Sequence, residues 1–574
     1  MRRTGAQIVW EMLRQEGVEV VFGMPGGSIM TTYHPRQEYG VRHVLIRHEQ
    51  AAAHAADGYA RASGRVGVAM TTSGPGATNL TTGIATAMMD SIPMVCITGQ
   101  VRTSSIGSDA FQEADITGIT LPITKHNYLV TDVHDLARTI REAFHIASTG
   151  RPGPVLIDLP VDVQTAEMDF KPPEGDVRLP GYRCEAPIDP ATVERIAAAL
   201  ADAERPVILA GHGVALSGGA HLLRTMVETA ELPVATTLLG KGSFPDRHPL
   251  ALGMMGMHGT PAANYAIQQA DLLLVLGMRF DDRVTGCLDR YAPHARKIHV
   301  DLDPAEICKN VQVDLGVVAD VHDVLEGLMP LVRRDDRTAW IERIAVWKSD
   351  AAEREIVSHL QSDALTGPEA LHEIWRTTEG NALVVTDVGQ NQMWAAQYYA
   401  SSRPRSFLSS GGLGTMGFAL PAAIGAQIAK PTNEVWVVAG DGGFQMNIQE
   451  LATVVQEELP LRIAVLNNGY LGMVRQWQEH FYDGRYEATK LWNPDFVRLA
   501  EAYGLEAWRG TTVDEAHDAI ERAHGCGSAC LIEFVVVGEG EEGNVYPMVP
   551  AGAALHEMMQ RPIPVGVQSR RWSS

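Results

Sequence analysis

Cysteine is scarce in this chain of 574 residues and is never paired at short spacing: Cys96, Cys184, Cys287, Cys308, Cys526 and Cys530 form no C-x-x-C. That excludes a disulfide framework and a zinc knuckle and points to a reducing cytoplasm. Long apolar runs are missing as well; stretches such as Leu272 to Leu276 fall far below the ~20 residues that span a bilayer, so a soluble chain is expected. Cations are in deficit, with 47 Lys and Arg against 69 Asp and Glu and a net charge of -22. Such a balance repels phosphate backbones and anionic membranes, so neither nucleic acid nor a membrane is an expected partner. Arg2 and Arg3 could start a signal peptide, but Glu11 and Glu16 follow at once and the segment runs into an expected strand at Val18 to Phe22, so mature structure is expected here. What remains is ordinary globular material, 45% hydrophobic and 20% charged, long enough at ~150 residues per domain for three or four domains.

Glycine, at 55 residues, sits mostly where short apolar runs end, as in Val207-Ile208-Leu209-Ala210-Gly211 and Leu273-Leu274-Val275-Leu276-Gly277. Runs that are continuous rather than alternating predict strands buried on both faces, hence parallel sheets flanked by helices: an α/β chain throughout. Six prolines between 160 and 190, and a charged, helix-like stretch from 331 to 365, divide it into units spanning 1–165, 190–335 and 365–574. The first and third units share a faint repeat of strand, Gly-rich turn, helix, proline and strand. Gly74 to Pro93 and Gly440 to Pro460 are 19 and 20 residues apart, so two superposable βαβ elements are expected.

The richest chemistry lies between Val435 and Tyr470. The strand Val435-Trp436-Val437-Val438-Ala439 delivers Gly440-Asp441-Gly442-Gly443 to its carboxyl end, where parallel sheets bind ligands. The next strand, Leu461 to Leu466, ends in Asn467-Asn468, which sets Asn468 beside Asp441 although they are 27 residues apart. One carboxylate and one amide oxygen suit a hard octahedral cation that keeps positions for a carbonyl, water and phosphates, so Mg²⁺ with a diphosphate fits best. The glycines and the following helix N-terminus favour phosphate approach. Each motif alone is an ordinary turn. Together, at the spacing of one βαβ unit, they resemble the thiamine diphosphate (ThDP) enzymes.

Those enzymes need a carboxyl group against N1′ of the aminopyrimidine, and Arg47-His48-Glu49-Gln50 offers Glu49 after an expected strand from Val41 to Ile46. The resemblance sharpens to the acetolactate synthase family, also called acetohydroxyacid synthases, and covers nearly the whole chain. It is carried by RHEQ at 47–50, SGPGATN at 73–79, DAFQEAD at 109–115, GRPGPV at 150–155, GMHGT at 256–260, RFDDRVTG at 279–286, GGLGTMGFALPAAIGA at 411–426, GDGGF at 440–444 and LGMVRQWQ at 471–478. RFDDRVTG, DAFQE and MVRQWQ carry the branch. Arg102 after Val101, Met24 before Pro25-Gly26-Gly27, and Tyr33-His34-Pro35-Arg36 depart from the commoner pattern and bear on the pocket mouth.

The resemblance implies an N-terminal ThDP pyrimidine-binding unit, a central FAD-binding-like unit and a C-terminal diphosphate- and Mg²⁺-binding unit. It implies Glu49, Gln112 and Lys125 as catalytic residues, and Asp441, Asn468 and Tyr470 as metal ligands. Around ThDP it places Gln390, Gly414, Met416, Gly442, Gly443, Leu471, Gly472 and Met473, with Met416 propping the cofactor in a bent form. For FAD it implies Arg151, Gly211, Gly213, Thr237, Leu238, Gly256, Met257, His258, Gly259, Gly277, Arg279, Asp281, Arg283, Val284, Asp301, Asp303, Glu306 and Asp320. Because the implied reaction has no net redox step, the flavin would be structural or an inheritance from oxidase relatives. Phe111, Arg283 and Trp477 are implied around the substrates, which are small 2-oxoacids.

The implied reaction decarboxylates pyruvate on ThDP and condenses the product with a second 2-oxoacid, pyruvate or 2-oxobutyrate. It gives 2-acetolactate or 2-aceto-2-hydroxybutyrate for branched-chain amino acid synthesis. The resemblance implies a homodimer or homotetramer, with the active site between the first unit of one subunit and the third of another; whether a small regulatory subunit joins it the sequence leaves open. Pyruvate oxidase and a catabolic, flavin-free acetolactate synthase share most of these motifs and stand as alternatives. A binding protein that had merely kept the fold is disfavoured by the retention of Glu49, Asp441 and Asn468.

Overall fold

The computed structural model describes residues 1–184, 187–358 and 364–562. Among them, eighteen strands fall into three six-stranded sheets, parallel throughout. The first sheet contains β1 (Val20–Met24), β2 (Arg42–Leu45), β3 (Gly67–Thr71), β4 (Met94–Gln100), β5 (His126–Leu129) and β6 (Pro154–Pro160). The second has β7 (Pro206–Ala210), β8 (Val234–Thr236), β9 (Ala251–Met254), β10 (Leu272–Leu276), β11 (Arg296–Asp301) and β12 (Leu315–Val318). The third has β13 (Leu383–Thr386), β14 (Phe407–Ser409), β15 (Val435–Gly440), β16 (Leu461–Asn467), β17 (Glu506–Gly510) and β18 (Cys530–Val535). Their strands are continuous apolar runs because both faces are covered; Val435 to Ala439 are all buried.

The first sheet runs β2-β1-β3-β4-β6-β5 and the third β14-β13-β15-β16-β18-β17. Counted within each unit, these orders are identical. The repeat expected from the Gly-to-Pro spacing therefore coincides with equivalent pairs, β3–β4 and β15–β16. The middle sheet runs β9-β8-β7-β10-β11-β12, the doubly wound dinucleotide order whose direction reverses between its first and fourth strands. An antiparallel pair, Arg2–Thr4 with Glu167–Asp169, closes the first unit.

Helices α1 (Glu49–Ser63), α2 (Thr81–Asp90), α3 (Val133–Ser148), α4 (Ala419–Ala429) and α5 (Gly472–Phe481) position the residues that matter. Helix α1 begins after His48, whose ring nitrogen accepts from the Gln50 N–H at 3.2 Å, and ends at Gly64 with φ +78°. Its small residues admit α4 at backbone distance. A Cβ on Gly58 would lie 2.0 Å from the Ala422 carbonyl oxygen, and one on Gly425 1.8 Å from that of Ala55. This crossing fuses the first and third units into a shared core that includes Ala51, Ala55, Phe418, Ala422 and Val437. Beside it, buried Arg61 pairs with Asp57 and, at 2.7 Å, with Asp90 at the end of α2, while Asp90 accepts from the N–H groups of Gly411 and Gly412 at 3.1 and 2.7 Å. Each buried charge is thus compensated where three units meet.

Within the stretch read as a charged connector, Thr338–Glu353 is a helix that docks on the middle unit through Trp340, whose indole donates to the Pro206 carbonyl at 3.2 Å. The end of the described chain also returns there. Val549 N–H donates to Met257 O at 2.7 Å, and Val549 and Leu555 pack with Leu273 and Val275. Residues beyond β18 therefore cover the middle sheet, a contact that the boundary at 365–574 does not anticipate. No helix among the described residues is long and apolar enough to cross a membrane.

Candidate active site

Glu49 is the first residue of α1 and only 8% exposed, placed where the partial positive charge of a helix N-terminus favours an acid. Its Oε2 accepts from Asn79 Nδ2 at 2.9 Å, and Gly76 gives the other oxygen clearance: a Cβ there would sit 3.5 Å from Oε1. The turn before it is pinned from the third unit, since the Arg47 and His48 N–H groups donate to the Glu450 carboxylate at 2.9 and 3.0 Å. Gln112 joins this group. Its backbone, at φ +59°, lies over Gly74, where a Cβ would be 2.8 Å from the Gln112 oxygen. RHEQ, SGPGATN and DAFQEAD are thus brought together. Phe111, beside Gln112, is 88% exposed.

Lys125 is employed differently from the catalytic role the resemblance implies. Its ammonium donates to the carbonyls of Ile146 and of Thr149 (2.8 Å) and to the Tyr182 hydroxyl (3.2 Å), capping the C-terminus of α3. Burial pulls its pKa down to about 8.

The second group lies at the carboxyl ends of β13, β15 and β16. Asp441, 2% exposed, accepts on Oδ2 from Asn493 Nδ2 at 2.6 Å and from the Gly469 N–H at 3.0 Å. Burial pushes its pKa up to about 6; its partners are neutral N–H groups, and among the described residues it forms no ion pair. Asn468 donates through Nδ2 to Gln390 Oε1 at 3.0 Å and accepts on Oδ1 from the Tyr470 N–H at 3.0 Å. Gly442 forms the floor between them and Met416: a Cβ there would meet Leu471 at 2.9 Å and the Met416 methyl at 3.6 Å. A buried carboxylate lacking a cation, an adjacent amide oxygen and nearby carbonyls form a donor set that fits Mg²⁺.

Sequence reasoning missed three supports. Asn493 Nδ2 bridges Asp441 and Asn467 Oδ1 (2.9 Å), returned to the site by a bridge between Tyr470 and Lys490 that no local pattern announces. Asp387, at the end of β13, accepts from the Gly417 and Ala419 N–H groups at 3.0 and 3.2 Å and so holds the turn that carries Met416. Asn79 was visible inside SGPGATN, without a role.

A cavity of about 720 Å³ runs along the switch point of the middle sheet and reaches the third unit. It is lined by Arg151, Gly213, Thr237, Leu238, Met257, His258, Gly277, Arg279, Asp281, Arg283, Val284, Asp301, Glu306 and Asp320, and also by Gly414, Met473 and Trp477. Gly211, Gly256, Gly259 and Asp303 from the implied flavin set do not line it; Gly211 and Gly256 instead pack backbone to backbone on Gly277 and Arg283. At the switch, a Cβ on Gly213 would be 2.6 Å from the Gly277 Cα, so both glycines leave the cavity its width. Asp281, Asp303 and Asp320 cap short helical turns through backbone N–H groups. Arg151 binds Glu306 at 2.8 Å and Asp303 at 3.2 Å. Burial lowers the His258 pKa to about 4 and raises that of Asp301 to about 6, so the ring is neutral and the acid is held for a donor. A cavity of this volume and lining, at the switch point, has the room and the donors for a dinucleotide. At its far end the Arg283 guanidinium stacks over the Trp477 ring at 5.4 Å. Neither Glu49 nor Phe111 nor Gln112 lines the cavity.

Three descriptions of thiamine pyrophosphate enzymes match successive parts of the chain: the N-terminal TPP binding domain over residues 3–119, the central domain over 193–328 and the C-terminal TPP binding domain over 387–534. The class is thus a ThDP-binding enzyme. Similar proteins include a probable acetolactate synthase large subunit of Methanocaldococcus jannaschii, 48% identical over 97% of this chain and 95% of its own length. An acetolactate synthase of Mycobacterium leprae is 48% identical over 97% of this chain and 90% of its own. An acetolactate synthase large subunit of Corynebacterium glutamicum is 47% identical over 96% and 89%. The chain belongs to the acetolactate synthase large-subunit family of thiamine pyrophosphate enzymes.

Proposed function

We propose that this chain is the catalytic subunit of an acetolactate synthase, acting in the cytoplasm to condense the decarboxylation product of pyruvate with pyruvate or 2-oxobutyrate. The observation that carries this reading is the Arg283–Trp477 stack at the end of the cavity nearest Gly414 and Met473: a cation for a carboxylate beside an aromatic wall for a short alkyl group. ThDP, when bound, supplies the electron sink that decarboxylation and carboligation need. Glu49 holds a proton at N1′ of the aminopyrimidine, in an environment of one amide and one helix N-terminus. Asp441, Asn468 and the Tyr470 carbonyl would hold Mg²⁺, and Gly442 and Gly443 would leave room for the diphosphate. Arg151, Thr237, His258 and Asp301 would hold FAD in the cavity they line.

Glu49 and Asp441 are each satisfied within their own unit, and among the described residues no hydrogen bond or ion pair joins the two acids or a shared partner. Apolar side chains near them lie open, Phe111 at 88% and Trp492 at 87% exposure. This supports a site completed by a second copy of the chain, in a homodimer or homotetramer. A small regulatory subunit matches the name "large subunit" that the relatives carry.

The test is an assay of the purified protein with pyruvate, ThDP, Mg²⁺ and FAD, each cofactor omitted in turn. Acetolactate and CO₂ are expected, without dioxygen uptake. Dioxygen consumption without acetolactate would make it an oxidase and overturn the reading.

A further inference from the structure

Asn468 can serve a cation only with its oxygen, and an amide side chain can face either way at almost equal cost in shape. One fixture is local, the Tyr470 N–H that donates to Oδ1 at 3.0 Å; a second, acting on the Nδ2 end, lies further off. Gln476, in α5, is fully buried and meets the backbone of Val545 twice: its Nε2 donates to Val545 O at 2.9 Å and its Oε1 accepts from the Val545 N–H at 2.9 Å. Backbone groups cannot be exchanged by a flip, so Gln476 has one orientation. Its Oε1 then accepts from Gln390 Nε2 at 3.0 Å, which also donates to Gly543 O at 2.9 Å. Gln390 must therefore turn Oε1 to Asn468, which answers with Nδ2 at 3.0 Å and presents Oδ1 on the opposite side. The row passes through Gly472, where a Cβ would stand 2.0 Å from Gln390 Oε1.

We propose that Gln476 is a positioning residue of the metal site, holding through Gln390 the Nδ2 end of the Asn468 amide so that Oδ1 keeps the orientation the Tyr470 N–H favours. It acts at two removes and touches neither metal nor substrate. Both anchors of Gln390 depend on it, because the segment carrying Gly543 O is itself held by the two Val545 bonds. The proposal rests on reading Asp441 and Asn468 as the Mg²⁺ site.

The test compares two variants by Mg²⁺ titration in saturating ThDP, read by calorimetry and tryptophan fluorescence without turnover. Gln476→Met removes every bond at similar size and should weaken Mg²⁺ about 10- to 100-fold, as lost outer-shell partners do. Gln476→Glu keeps the acceptor for Gln390 and for the Val545 N–H; it should lose melting temperature yet keep the parent Mg²⁺ affinity. Equal loss in both variants, in step with stability, makes Gln476 merely structural and overturns the proposal, as does parent-like affinity in Gln476→Met. Should Gln476→Met fail to fold, Gln476→Asn, one methylene short of both partners, takes its place with the same expectations. Absence of Mg²⁺-dependent ThDP binding in the parent chain removes the site reading itself, and the relay with it.

Discussion

Glu49 is set apart from the other acids of the first unit by its surroundings: a helix N-terminus behind it, one amide on it and a glycine opposite. Glu49→Gln keeps the shape and the Asn79 contact, so ThDP should still bind, while the rate should fall by roughly 10²- to 10⁴-fold with the loss of a positioned acid. ThDP binding by calorimetry alongside acetolactate formation checks both halves; wild-type rate would reduce Glu49 to a helix cap. Trp477 makes a different claim. It is half-buried, stacked edge-on against Phe481 at 5.4 Å and covered by Arg283. Trp477→Ala should lower the preference for 2-oxobutyrate over pyruvate by part of the ~10- to 200-fold that one methylene commands in an apolar pocket. Product ratios under mixed substrates decide it, and an unchanged ratio with a lowered melting temperature would leave Trp477 as packing alone. Asp441 and Asn468 were singled out in the sequence because each follows a buried strand, whereas Glu49, beyond the partly exposed β2, was named by the resemblance of RHEQ. Lys125 was named by its motif alone; its contacts to the open carbonyls of α3 are ones that no spacing reveals. Asn493 and Gln476 were illegible because they act on residues 52 and 86 positions away.

At the level of elements, the crossing of α1 and α4 tolerates no side chain at its two glycines. Gly425→Ala would drive a methyl into the Ala55 carbonyl, and overpacking of this kind costs about 1–3 kcal/mol. A lowered melting temperature is expected; an unaltered one would mean that the helices part freely. A proton is also stored between strands. Asp158 on β6 accepts from Thr98 Oγ1 at 2.8 Å and from Gln100 Nε2 at 2.9 Å, and burial lifts its pKa to about 7. The fold prefers the neutral acid, so this contribution is whole below the unfolded value near 3.9 and is lost as pH rises through about 7. Asp158→Asn never charges, so its stability relative to the parent should improve between pH 5 and pH 8, on the order of 2–3 kcal/mol. Thermal melts of both proteins at the two pH values test this, and a difference independent of pH would refute it. The strands themselves were readable from unbroken apolar runs. Sheet order was not, because crossovers are decided by which helix faces fit, and only the spacing from Gly74 to Pro93 and from Gly440 to Pro460 hinted that the outer sheets match.

For the whole molecule, the question is where one site ends and the next begins. If Glu49 of one copy serves Asp441 of another, then Glu49→Gln chains and Asp441→Ala chains, each inactive alone, should complement when refolded together. A mixed pair holds one intact site and one doubly altered site, so random pairing restores about a quarter of the parent activity. Sites confined to single chains give no recovery, and that result would return the active site to one chain.

The α1–α4 crossing also has a history in time. While the chain is being made, the alanine face of α1 and its notch at Gly58 emerge early, whereas Ala422 and Gly425 follow roughly 360 residues later, about 20 to 70 s at ribosomal speed. During that interval the first unit can close its own strands and seal its edge with Arg2–Thr4 against Glu167–Asp169, yet it carries an uncovered apolar ridge. A nascent chain halted before α4 is therefore the form of this protein most in need of a chaperone.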